Sequence, residues 1–133
     1  MKRVSKAAAL VLDRLTYRLD ADGQATRIDN APGTFMRVCV ERIGLLADLG
    51  PLFSVAHYYE QMGDAMADPE MIFLRGAEGS YYPTYFRQDS LGYERESVRM
   101  DGESVLVNAR VQADQAVFAS GWLVNISQQQ GIT

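Results

Sequence analysis

Cysteine is all but missing from this chain: Cys39 stands alone. A disulfide framework is thereby excluded, as is a cysteine-rich zinc or iron–sulfur site within one chain. A lone thiol suits a reducing compartment. Histidine is equally scarce, with His57 the only one, so no paired-histidine motif can be written. No phosphate-binding glycine loop or dinucleotide fingerprint is present either, and no cofactor is expected. Basic residues do not exceed acidic ones: 13 Lys and Arg face 17 Asp and Glu, a net charge of −4. A general nucleic-acid binder gains most of its affinity by neutralising phosphates. The charge balance argues against that role and leaves room only for a local basic patch. No stretch approaches the ~18 apolar residues that a spanning helix needs. The first fifteen residues (about 1–15) open like a signal peptide, but Asp13 and Arg14 cut the apolar run and no small-residue cleavage site follows, so this segment reads as a helix. A cytoplasmic protein without a membrane contact is expected.

What is there is ordinary globular material: 133 residues, 47% apolar and 23% charged. That suits one domain over residues 1–133 with a core of its own. Ala8, Val11, Leu12, Leu15 and Leu19 recur at spacings of three and four, which predicts a helix from Ser5 to about Leu19. Asp20-Ala21-Asp22-Gly23 ends it, and Ile28 to Gly33 reads as a loop. From Phe35 the period becomes two, with Met36, Val38 and Val40 facing one way and Arg37, Cys39 and Glu41 the other. A second strand follows Gly50-Pro51, with Phe53, Val55, His57 and Tyr59 on one face and Ser54, Ala56, Tyr58 and Glu60 on the other. Gln61 to Pro69 reads as a polar connection. Glu70–Leu74 is a short strand and Tyr81–Phe86 an aromatic one, with Pro83 marking an edge or a bulge. Tyr93–Val98 adds a fifth, charged strand. The last element is a helix from about Val105 to Gln129, with Val111, Phe118, Trp122 and Ile126 on one side. The fold class is α+β. The expected layout is an antiparallel meander of four to five strands, with an N-terminal helix and a long C-terminal helix packed on one face.

Two constellations stand out. His57 and four carboxylates, Glu60, Asp64, Asp68 and Glu70, fall in fourteen residues (57–70) without a Lys or Arg. Hard cations take carboxylate oxygens and a histidine adds nitrogen, so the sharp reading is a metal or acid–base site. The plainer reading is an acidic solvated loop, favoured by the spacing: on a regular strand His57 and Glu60 point to opposite faces. Cys39 and His57 could pair as nucleophile and base across adjacent strands, though no orienting third group is evident. The second constellation is aromatic. Tyr58, Tyr59, Tyr82 and Tyr85, followed by Arg87, Gln88 and Asp89, make a candidate interaction surface. Tyr and Arg suit a protein interface, they can stack single-stranded nucleic acid, and they also serve as plain cross-strand pairs.

Several stretches together resemble a known family. They are Ser54-Val55-Ala56-His57-Tyr58-Tyr59-Glu60-Gln61-Met62-Gly63-Asp64 running on to Asp68-Pro69-Glu70-Met71, then Tyr82-Pro83, Phe86-Arg87-Gln88-Asp89 and Gly92. Ile28-Asp29-Asn30-Ala31-Pro32-Gly33 precedes them and Trp122 with Asn125-Ile126 follows. The family comprises small proteins known only as a domain of unknown function, common on bacterial plasmids, integrative conjugative elements and other mobile DNA. Met62 stands where that pattern has Asn. The resemblance covers about residues 5 to 131 and implies a setting rather than a chemistry. Such elements encode small acidic proteins that block restriction or CRISPR systems. The expected role is therefore a non-enzymatic protein-interaction protein of a mobile element, directed at a host defence complex. An enzyme built on the His57–Glu70 region and a single-stranded nucleic-acid module are the alternatives, and a homodimer is compatible with all three.

Overall fold

In the computed structural model residues 1–132 are described; residue 133, the last of the expected domain, lies outside them. The described residues form two helices and eight strands. Helix α1 spans Lys6–Thr16. The Ser5 hydroxyl starts it by accepting the Ala8 amide at 3.2 Å, which satisfies one of the free N–H groups of the first turn. The helix stops three residues short of Leu19, where the Leu19 amide turns back to the Thr16 carbonyl. Leu19 is nonetheless buried with Ala8, Val11, Leu12 and Leu15, so the apolar stripe outlasts the helical backbone.

Strands β1 (Ala25–Ile28), β2 (Val38–Leu46), β3 (Gly50–Gln61), β4 (Asp64–Arg75), β5 (Tyr81–Gln88) and β6 (Tyr93–Glu96) form one sheet in chain order, with every neighbouring pair antiparallel. The meander is thus six strands wide, where four to five were expected. β1 escaped notice because four residues between two turns show little alternation. The supposed connection Gln61–Pro69 is mostly strand. β3 and β4 continue until Gln61 pairs with Asp64 across a two-residue turn. The hairpin tip is polar because residues 60–65 are exposed, and polarity there signalled solvent rather than a loop.

The fifth, charged strand also divides. β6 ends at Glu96, and a separate hairpin follows from β7 (Val98–Asp101) and β8 (Ser104–Val107). Val105 therefore lies in a strand. Helix α2 begins later than expected, at Ala109, and runs to Gln130. Asn108 caps it, its side-chain oxygen accepting the Val111 amide at 3.2 Å. Pro83 sits beside a register shift in β5, at a level β6 does not reach, so its missing N–H breaks no ladder. The Pro83 carbonyl instead accepts from Ser97 Oγ (3.1 Å) and Gln112 Nε2 (2.9 Å).

Both helices cover the same face of the sheet. Leu12 and Leu15 of α1 and Ala119, Leu123 and Ile126 of α2 close over Val38, Val40, Phe53, Val55, Met71, Phe73 and Tyr81. The β7–β8 hairpin supplies a second, small cluster in which Val98 and Val105 pack with Leu46, Leu52, Leu74 and Tyr82. No helix among the described residues is long and apolar enough to cross a membrane.

The β3–β4 turn places Met62 at φ +52° and Gly63 at φ +87°. Positive φ at both central residues is the type I′ hairpin turn, whose preferred sequence is Asn-Gly. A non-glycine side chain in the left-handed region costs roughly 1–2 kcal/mol, least for Asn. Met62 is 97% exposed and has no packing to lose. Met62→Asn should therefore raise the stability by about 0.5–1 kcal/mol, read as a higher urea midpoint at unchanged slope.

Candidate functional site

The face of the sheet away from the helices is where polar groups gather. Because Val38 and Val40 point into the core, Cys39 and Glu41 point outward. The register then fixes one rung across all six strands: Arg27 opposite Cys39, Cys39 opposite Ala56, Ala56 opposite Glu70, Glu70 opposite Arg87, and Arg87 opposite Glu94. Residues directly opposite share a face. The rung thus reads cation, thiol, methyl, anion, cation, anion. Ala56, its smallest member, is buried. A shallow groove of about 510 Å³ runs across β1 to β4, with Arg27, Cys39, Ser54, Tyr58 and Glu70 among its walls.

Glu70 is the centre of this surface. Its Oε2 accepts from Ser54 Oγ at 2.6 Å and from the Tyr58 hydroxyl at 3.4 Å. Its Oε1 lies 3.4 Å from Arg87 Nη2. Arg87 Nε lies 3.5 Å from Asp89 Oδ1, and Asp89 Oδ2 accepts the Ala67 amide at 2.8 Å. On the next rung the Tyr85 hydroxyl donates to Glu94 Oε2 at 2.5 Å. Burial, and then the neighbouring Glu70 carboxylate, push the Tyr58 hydroxyl up to about 12. Tyr85 is raised as well, by burial and by its bond to Glu94. Both hydroxyls stay protonated donors at neutral pH and hold carboxylates rather than act as bases.

The structure splits the polar cluster that the sequence suggested. Glu70 is on the open face. His57 is on the helix side and buried, with Nδ1 3.0 Å from the Arg37 carbonyl and its ring edge-on to Trp122 at 5.6 Å. Glu60 and Asp64 are exposed near the hairpin tip. Asp68 accepts from Gln88 Nε2 at 2.8 Å and Ser90 Oγ at 3.3 Å. Among the described residues no three His, Cys, Asp or Glu side chains are grouped to hold a metal ion. Cys39 and His57, on neighbouring strands, face opposite sides of the sheet and form no dyad.

The residues of the candidate interaction surface fall into separate surroundings. Tyr58, Tyr85, Arg87 and Asp89 converge around Glu70. Tyr82 does not: it packs beneath the β7–β8 hairpin and its hydroxyl donates to Glu78. Tyr59 lines a separate depression with Arg37 and Glu60, and Gln88 is occupied with Asp68. Ser54, Arg27 and Glu94 were not anticipated as site residues. Ser54 was legible in principle, since it shares parity with Tyr58 on β3. Arg27 and Glu94 needed the full register.

The fold and surface define a small α+β protein whose antiparallel sheet is covered by helices on one side only. The chain belongs to the family described as a domain of unknown function (DUF6908), which it matches over residues 6–132. Neither the curated proteins nor the solved structures yield a match.

Tyr58 ionises ordinarily at 10.0 and in this fold at about 12. The folded state thus holds this proton more tightly than the unfolded chain. The stability this contributes is present below pH 10 and is lost as the pH rises toward 12. Alkaline titration of tyrosinate absorbance should show this late ionisation. Glu70→Gln should bring it down part of the way, because burial, the larger cause, remains. An unchanged titration in that variant would remove Glu70 from the account.

Proposed function

We propose that this chain is a non-enzymatic binding protein that docks a protein partner on the open sheet face. The rung from Arg27 to Glu94 carries this reading. It sets charges of both signs on a broad, shallow surface, flanked by two half-buried tyrosines, and around Glu70 and Glu94 these groups are bonded to one another. Tyr and Arg are favoured at protein interfaces, and ordered side chains lose less freedom on binding. The resemblance to proteins of plasmids and conjugative elements supplies the setting: a mobile genetic element, with a component of a host defence complex in the cytoplasm as the partner, in the manner of anti-CRISPR or anti-restriction proteins.

The alternatives find less support in the geometry. An acid–base or metal enzyme would draw on His57 together with Glu70, and these lie on opposite sides of the sheet. A single-stranded nucleic-acid module would use Tyr58 and Tyr85 as stacking platforms. Each tyrosine is bonded to a carboxylate, Glu70 or Glu94, which repels phosphate. Pairing of β6 edges between two copies is discouraged by Glu94, Arg95 and Glu96 along that edge.

Arg27 and Ile43 are exposed beside the groove and belong to neither apolar cluster, so changing them spares the core. The double variant Arg27→Glu, Ile43→Glu should melt as the parent chain does. It should recover a host protein captured by the parent at an affinity about tenfold lower, which corresponds to ~1.4 kcal/mol. Undiminished recovery of that protein would overturn the assignment of the open face.

A further inference from the structure

A second concavity lies on the helix side of the sheet, where the β6 edge meets α2, and its walls are aromatic. The Phe86 ring stands edge-on to Tyr93, with centroids 5.7 Å apart and planes at 68°. It stands edge-on to Phe118 as well, at 5.2 Å and 84°. Two rings thus rise nearly perpendicular from a third. Both are open to solvent, Tyr93 at 46% and Phe118 at 44%. The slot measures about 180 Å³, the share of roughly six waters at ~30 Å³ each. That is room for one side chain and too small for the usual cofactor pocket.

Gln115 also lines the slot, and it is only 6% exposed. Its Nε2 donates to the Arg95 carbonyl at 3.2 Å. That bond fixes the amide orientation, since a flip would set two oxygens against each other. Gln115 Oε1 is then a buried acceptor with no hydrogen-bond partner among the described residues. Such an atom is a standing cost that an incoming donor recovers. Asp114 and Arg95 line the slot too. With one charge of each sign, a charged occupant meets a like charge whichever sign it carries.

We infer that this slot receives a tryptophan side chain from a protein partner, its indole N–H donating to Gln115 Oε1. The ring walls call for an aromatic group and the balanced charges for a neutral one. The orphan oxygen calls for a donor, and of the neutral aromatic side chains indole supplies one without bringing an acceptor of its own into the aromatic slot. The oxygen has no solvent-exposed surface, so binding requires the partly exposed Phe118 ring to move aside as the indole enters. A second copy of this chain is not the source, because Trp122 packs against the core and against His57. The inference concerns a surface separate from the open face and stands whether or not that face binds.

The test is an NMR titration of the labelled full-length chain with N-acetyl-tryptophanamide and with its 1-methylindole analogue. The first probe should shift the Tyr93 and Phe118 ring signals and the Gln115 side-chain amide. The methylated probe should bind about tenfold more weakly for want of the donor. Gln115→Leu should abolish the difference between the two probes. Phe118→Ala, at an exposed position that spares the core, should weaken both. Equal binding of the two probes to the parent chain, or no shift of these signals by the first, overturns the inference.

Discussion

The structure depends on how a six-stranded sheet is covered. An antiparallel sheet has two faces, and the two helices bury one of them against Val38, Val40, Phe53, Val55, Met71, Phe73 and Tyr81. The β7–β8 hairpin buries a small apolar cluster around Leu46, Leu52, Leu74 and Tyr82. What remains of the second face has to be stable while wet, and around its centre Glu70, Arg87, Asp89 and Glu94 meet that condition by pairing with neighbours. Glu70 sits at the centre of the arrangement with its side chain only 16% exposed. A carboxylate so placed is tolerable only when its oxygens are occupied.

Magnitudes indicate which partner matters most. A hydrogen bond to a charged group contributes roughly 1.5–3 kcal/mol, while a partly exposed ion pair contributes up to about 1 kcal/mol. The short bond from Ser54 therefore anchors Glu70 more firmly than Arg87 does. Arg87 instead bridges two carboxylates, Glu70 and Asp89. Asp89 in turn holds the Ala67 amide. This chain of contacts links the middle of the sheet to the segment that joins β5 to β6. The result is a surface whose central charged groups already hold one another, the feature on which the proposed docking role rests.

The sequence was most readable where a single period persisted. The alternation from Val38 to Glu41 placed Cys39 on the outer face correctly, and the three-and-four spacing in α1 identified its buried stripe. Reading failed where periods break. Between the pairs Ala56–Glu70 and Tyr58–Ala67, β4 advances one residue further than β3. Asp68 and Pro69 fall in that irregularity, and alternation cannot say which side Asp68 takes. The same irregularity turned a strand into an apparent loop and gathered His57 and Glu70 into one acidic cluster on paper, although the pleat holds them on opposite faces. The rung from Arg27 to Glu94 was out of reach, because it joins residues from six strands and exists only once every register is set. The buried Gln115 acceptor was equally invisible, since its isolation depends on where the Arg95 carbonyl lies.

The central claim, that the open face is the docking surface, has a built-in reporter. Cys39 is the only thiol in the chain, it is partly exposed, and it lines the groove beside Glu70. The most direct measurement is the rate at which Cys39 is alkylated by a small maleimide, with and without a captured protein partner at saturating concentration. Docking on this face predicts that the partner slows the reaction at least about tenfold, as expected for a group covered by an interface core. An unchanged alkylation rate in the saturated complex would contradict the account.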